Sequence, residues 1–198
     1  LILDSLDKLE KEVDGLEGKI DRERIGMGGH SFGAHTSQLI GGVKMRNPRT
    51  KRFHTLDDPR PAAFLLISPQ GTGDSLTAES YSGLTRPTLV ITGTNDKSSR
   101  TGKGYLWRKE VYDNAPAGDR YLLTIDEAHH GFGGITGARR FPGSGPANAE
   151  QVAQVQSASL AFWDFFLKEQ ADAGPWLRTG KFAAATDGEA KMATKYSR

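Results

Sequence analysis

The 198-residue sequence contains no cysteine. That excludes a disulfide framework, a thiol nucleophile and cysteine-ligated zinc, although it does not fix the redox compartment. No apolar run approaches the ~18 residues of a membrane-spanning helix, so no transmembrane segment is expected. Neither sign of charge dominates. Lys and Arg number 26 against 24 Asp and Glu, a formal net charge of +2 with no basic run, and a nucleic-acid partner is therefore not expected. Internal repeats are absent too, and so is an initiator methionine: the chain opens on Leu1-Ile2-Leu3, already in what reads as a helix. The true N-terminus is expected upstream, so the absence of a signal peptide carries no weight. A soluble protein is expected, with localisation otherwise unknown and secretion or a periplasmic location left open.

What is present suits one globular domain with a real core: 36% hydrophobic and 25% charged residues. Leu6, Leu9, Val13, Leu16 and Ile20 recur at helical spacing and predict an amphipathic helix with one buried face, frayed near Gly15 and Gly18. A short strand through Ile25 leads into a helix that runs to about Ile40 and stops at Gly41-Gly42. Residues Met45 to Pro61 read as a polar surface loop. Ala62–Ile67, Thr88–Thr92 and Tyr121–Ile125 are nearly unbroken apolar runs, as expected of strands covered on both faces. A helix of mixed polarity is expected around Lys103–Asn114, and a glycine-rich loop at about Arg139–Gly145. The last long helix, about Ala149–Gln170, has an apolar face of Val152, Val155, Leu160, Phe162, Trp163, Phe166 and Leu167. Alternating strands and helices imply a parallel sheet with right-handed crossovers, an α/β fold. Residues 1–172 form the domain in this reading, and 173–198 a polar tail with no structure assigned.

The stretch that organises the chain is Arg24-Ile25-Gly26-Met27-Gly28-Gly29-His30-Ser31-Phe32-Gly33-Ala34. Gly29-x-Ser31-x-Gly33, set between a predicted strand and a predicted helix, fits a nucleophile elbow, a turn tight enough to hold its serine in a strained conformation. Flanking glycines remove the Cβ atoms that would collide there, and the first amides of the helix point at whatever reacts. A serine needs a base, and the base a third group to fix its tautomer. Asp96 and the pair His129-His130 each follow a predicted strand, at the sheet edge where loops of α/β folds carry function. Asp74 and Asp126 compete for the acid role. A helix-capping serine and a turn-forming Asn95-Asp96 are the bland alternatives. His30, His35 and His54 read as packing or surface residues, with His30 and His129 also possible pocket residues. Gln70 either lines the pocket or stabilises its loop.

Ile20-Asp21-Arg22-Glu23-Arg24-Ile25-Gly26 leading into Gly29-His30-Ser31-Phe32-Gly33-Ala34 resembles the α/β-hydrolase superfamily. More narrowly it is similar to the dienelactone-hydrolase-like and platelet-activating-factor-acetylhydrolase-like esterases. Ile91-Thr92-Gly93-Thr94-Asn95-Asp96 resembles their acid loop, and Ala128-His129-His130-Gly131-Phe132 their histidine loop. The order Ser31, Asp96, His130 is that of the superfamily's triad. The similarity runs from about Leu6 to Leu167, the C-terminal half of the family's domain. Dienelactone hydrolases themselves use a cysteine nucleophile, so lactone specificity is not implied.

The resemblance implies an α/β-hydrolase fold, a parallel sheet with flanking helices whose N-terminal strands are absent from this chain. It implies cleavage of a small-molecule carboxylic ester through an acyl-enzyme: Ser31 as nucleophile, His130 (over His129, by the Ala-x-His-Gly-Phe match) as base, Asp96 as its orienting acid. The Phe32 amide would serve the oxyanion hole, whose second donor lies on a loop outside this chain. No metal or other cofactor is implied, and the missing N-terminal half is expected to be required. The alternatives are a peptidase of the same superfamily and a non-catalytic fragment or interaction module without a complete oxyanion hole.

Overall fold

The computed structural model describes residues 2–137 and 141–196. Leu1, the expected start of the glycine-rich loop at Arg139 and Arg140, and the last two residues of the expected tail lie outside them. The elements in chain order are α1 (Leu6–Glu12), β1 (Ile25–His30), α2 (Phe32–Ile40), β2 (Met45–Arg46), β3 (Phe53–His54), β4 (Pro61–Ile67), β5 (Thr88–Gly93), α3 (Tyr105–Asn114), β6 (Arg120–Ile125), α4 (Ala149–Phe166), α5 (Gly174–Arg178), α6 (Lys181–Ala185) and β7 (Ala190–Lys195). Among the described residues the main sheet has five strands in the order β1-β4-β5-β6-β7. The first four pair in parallel and β7 runs antiparallel to β6. The fold is α/β, a mostly parallel sheet with helices on both faces.

Two cores follow from that layering. Side chains alternate across a strand, so Phe64, Leu66, Val90 and Leu122 point to one face and pack with Val111, Tyr81 and Ala34. Leu65, Leu89, Ile91, Tyr121 and Leu123 point to the other and meet Val155, Ala158 and Phe162 of α4. Burial on both sides explains the continuous apolar runs of β4, β5 and β6. Strand β1 is different, being rich in glycine, and α4 exploits that. A Cβ on Gly26 would lie 2.6 Å from the Trp163 ring and 2.7 Å from Leu167, so the bare backbone is what lets the indole lie against the strand.

Several expectations need correction. The first helix stops at Glu12 rather than near Ile20 and buries no residue; Val13 is 43% exposed. Gly15 and Gly18, both at positive φ, turn the chain instead of merely fraying it. Leu160 is 57% exposed, because its helical phase opposes that of Val155, Ala158 and Phe162. The last long helix ends at Phe166, and the loop after Ile40 contains the small β2–β3 hairpin. Residues 173–196, to which the sequence assigned no structure, fold against the rest of the chain. Phe182 and Ala190 are buried in the α4 core, and β7 adds an edge strand. Its alternation of alanine, methionine and lysine is too weak in apolar content to read as a strand until β6 lies beside it.

The elbow between β1 and α2 is the tightest junction. Ser31 has φ 57° and ψ −110°. Its N–H donates to the Ile67 carbonyl at 2.9 Å and its carbonyl accepts from the His35 N–H at 3.0 Å, so the strain is held from both sides. A Cβ on Gly29 would lie 2.4 Å from the Gly33 carbonyl carbon, whereas one on Gly33 would meet nothing within 4 Å. Gly29→Ala is therefore expected to destabilise the fold by roughly 1–3 kcal/mol. Gly33→Ala should be neutral or gain up to about 1 kcal/mol from helix propensity. Urea unfolding midpoints of the two variants check the ranking.

Candidate active site

Three strand ends converge on the imidazole of His130. From the elbow after β1, the Ser31 Oγ lies 2.9 Å from Nε2. From the turn after β5, the Asp96 Oδ1 lies 2.8 Å from Nδ1. From the end of β4, a second serine, Ser68, places its Oγ 2.8 Å from the same Nδ1. With Nδ1–H donating to the carboxylate, Nε2 carries a lone pair and accepts the Ser31 hydroxyl. The two serines are not equivalent. Ser31 is half-buried, while Ser68 is fully buried.

The turn that carries Asp96 is built by its neighbours. The Asp96 N–H donates to the Gly93 carbonyl at 2.9 Å and the Asn95 N–H to the Ala128 carbonyl at 3.1 Å. The two acidic competitors are used elsewhere or not at this site. Asp126 accepts the Thr94 hydroxyl at 2.9 Å, tying the β5 loop to the β6 loop, and Asp74 is exposed. Asp96 is fully buried. Burial alone would push its carboxyl up, but the hydrogen bond from His130, the Arg108 charge and the Ser68 hydroxyl hold it below its ordinary value. Thr92 adds a hydroxyl to Oδ2 at 3.2 Å.

His130 itself is buried and enclosed by aromatic rings. Phe141 meets it edge-on with centroids 5.6 Å apart, and His30 lies 4.8 Å away. His30 is no open pocket residue: its Nε2–H donates to the His130 carbonyl at 2.8 Å, so the side chain inside the elbow anchors the backbone of the imidazole above it. His129 points elsewhere, packed where a Cβ on Gly145 would come within 2.5 Å of it. Gln70 supports its loop, its carbonyl accepting from Gln38 Nε2 at 3.2 Å and from the Tyr81 hydroxyl at 3.0 Å. His35 touches Gln38 on α2, and His54 is exposed in β3. The first intrahelical bond of α2 is His35 N–H to Ser31 O, so the Phe32, Gly33 and Ala34 amides precede it. The Phe32 ring is 71% exposed beside this amide group.

Sequence reasoning missed Ser68, Arg108 and Phe141. Ser68 reads as a strand terminator before Pro69. Arg108 reads as the polar face of a mixed helix, yet it is 3% exposed, with Nε 3.6 Å from Asp96 Oδ1. A cleft of about 680 Å³ lies away from this cluster, between α4 and the α5–α6 segment, lined by Leu160, Trp176 and Phe182 with Glu150, Asp187 and Glu189. None of Ser31, Asp96 or His130 borders it.

No protein-family model matches the chain, and no curated protein matches it. Among solved structures it is similar to a serine-to-alanine variant of the AtxE2 isopeptidase with Astexin3-dC4 bound, at TM-score 0.51 and 16% identity. The likeness covers 94% of this chain and 28% of that one. At this identity it speaks to the α/β fold alone; the chain spans little more than a quarter of the length of that protein.

Burial first, and then the neighbouring His130 charge, hold His30 below its ordinary value near 6.5; burial alone lowers His35. Asp96 and Arg108 also act on His30, with opposite signs. For a base lowered on folding, the unfolded chain binds more protons just below pH ~6.5, so stability must fall as pH drops through that window. The urea midpoint is expected to be lower at about pH 5.5 than at about pH 7.5. His30→Gln, which keeps an N–H donor, should narrow the difference. A midpoint that rises on acidification would contradict this electrostatic picture.

Proposed function

We propose that this chain carries the catalytic half of a serine hydrolase that cleaves carboxylic esters through an acyl-enzyme intermediate. The observation that carries the reading is the unbroken pair of contacts from Ser31 Oγ to His130 Nε2 and from His130 Nδ1 to Asp96 Oδ1. In this reading His130 takes the Ser31 proton as the hydroxyl oxygen attacks the ester carbonyl. The same imidazole, now cationic and held by Asp96, returns the proton to the leaving alcohol. Water then enters, gives its proton to His130, and releases the acid from Ser31 as the serine is re-protonated. The Phe32 amide, at the N-terminus of α2, supports the developing oxyanion.

Ser68 does not suit the attacking role. It is fully buried and sits on the Nδ1 side, where the ring nitrogen holds a hydrogen rather than receiving one. A second reading, hydrolysis of an amide or isopeptide bond by the same triad, draws on the fold likeness to the isopeptidase. In either reading the domain is the C-terminal part of a hydrolase domain, and upstream strands complete it. Their placement is suggested by β1, which has β4 as its one strand partner among the described residues. They would also supply the second oxyanion donor, whose loss costs on the order of 10²–10³ in turnover.

A fluorophosphonate probe is expected to label the full-length protein at Ser31, and Ser31→Ala to abolish labelling; labelling that survives would remove Ser31 from the mechanism. On p-nitrophenyl esters, His130→Ala should lower turnover by roughly 10⁴–10⁶-fold, because base and nucleophile act as a unit. His129→Ala should cost far less. Comparing p-nitrophenyl esters with peptide anilides separates esterase from peptidase. The 198 residues alone are expected to turn over far more slowly than a chain extended upstream, at matched soluble concentration. Equal rates would show that the upstream strands are dispensable.

A further inference from the structure

We propose that Ser68 is a positioning residue for the Asp96–His130 pair, its hydroxyl hydrogen shared with the Asp96 carboxylate, and that Arg108 fixes Ser68 in place through the Ser68 and Pro69 carbonyls. The inference rests on the triad reading above and adds a fourth and a fifth member to it.

The first argument is donor and acceptor arithmetic. His130 Nδ1 has two neighbours at 2.8 Å, Asp96 Oδ1 and Ser68 Oγ, and one hydrogen to give. When that hydrogen goes to the carboxylate, the Ser68 oxygen beside it can accept only a share. Its own hydrogen then needs an acceptor, in a place fully closed to water. The Asp96 carboxylate has the capacity. Its oxygens offer about four acceptor sites, and His130 and Thr92 supply the other close side-chain hydrogens. Ser68 thus bridges the two groups whose relative angle decides whether Nε2 faces Ser31.

The second argument is backbone strain. Ser68 has φ 55°, a region in which a serine costs free energy that a glycine would not. The conformation is over-determined. The Ser68 N–H donates to the Ile91 carbonyl at 2.8 Å. Arg108 Nη1 donates to the Ser68 carbonyl at 3.3 Å and to the Pro69 carbonyl at 3.0 Å. The following residues are locked to the same helix: Trp107 Nε1 donates to the Thr72 carbonyl at 2.6 Å, and the Glu110 carboxylate accepts the Thr72 N–H at 2.7 Å. Helix α3 therefore clamps the segment after β4 through three side chains, Trp107, Arg108 and Glu110. Only Arg108 also faces Asp96, at 3.6 Å. A turn held this firmly in a conformation unsuited to its residue serves the one group that a glycine there would lack, the hydroxyl.

The test is Ser68→Gly, which relieves the backbone and removes only the hydroxymethyl group, with Ser68→Ala as the second variant. Two readouts are taken on the full-length protein. One is kcat and KM on p-nitrophenyl acetate. The other is the downfield proton resonance of the His130 imidazole N–H, assigned by its loss in His130→Ala. The expected result is a kcat lower by roughly 10- to 100-fold, as for losing one hydrogen bond to a charged group. KM should be little changed, the resonance displaced, and the fold intact in the glycine variant. A well-folded Ser68→Gly with unaltered kcat and resonance would overturn the proposal while leaving the Ser31 reading untouched. A parent protein that the fluorophosphonate probe does not label would overturn the hydrolase reading, and the positioning role with it, whatever the resonance does.

Discussion

An imidazole can face only one way at a time, and here its orientation is set by groups that arrive from three other parts of the sheet. Ser31 follows β1, Ser68 follows β4, Asp96 follows β5 and His130 follows β6, and the first three side chains lie within hydrogen-bonding distance of the His130 ring. Nothing local holds them together. Their separation along the chain reaches 99 residues between Ser31 and His130. Only the parallel pairing of β1, β4, β5 and β6, which brings every C-terminal strand end to one edge, makes the meeting possible. The apolar runs of the central strands and the small residues of β1 are thus as necessary to the cluster as its polar atoms.

That edge is also where the backbone departs from ordinary conformations. Ser31, Ser68, Glu127 and Phe132 all have positive φ; the first three lie just beyond a strand end in this edge, and Phe132 lies further along the loop after β6. Strain of this kind persists where the surroundings over-determine it. Here they do so through bonds that cross between elements: Ser31 to Ile67, Ser68 to Ile91, and Gly131 to Ser144. His30 contributes in the same manner, its ring bonded to the His130 carbonyl from below. His30, between Gly29 and Ser31, is therefore a support for the His130 backbone rather than a bystander.

Much of this was legible in the sequence, and the reasons are physical. The elbow carries its own local signature, because a strand-to-helix turn that tight leaves no room for a side chain at Gly29, although it leaves room at Gly33. Asp96 and His130 were visible because each interrupts an apolar strand pattern with a polar residue at the place where such a sheet opens. Ser68 was not, since a serine before a proline looks like simple punctuation. Arg108 was hidden because a charged residue on a mixed helix reads as solvated. Its burial depends on carbonyls at Ser68 and Pro69 that are 39 and 40 residues away in sequence. The early end of α1 was misjudged, and the late β7 left unassigned, for a related reason. Apolar spacing alone cannot say whether a partner surface exists, and β7 acquires its place only from β6.

The positive φ of Ser31 has one more consequence. In an unfolded chain nothing would impose it, and Ser31 would be one ordinary serine among the hydroxyl-bearing residues of a flexible polypeptide. Heightened reactivity at this position would then be a property of tertiary order alone, extinguished when the strand ends part and restored when they meet again. A molecule damaged by heat or misassembly would fall silent as a reagent rather than attack its surroundings, so that the chemistry itself reports on the integrity of the fold.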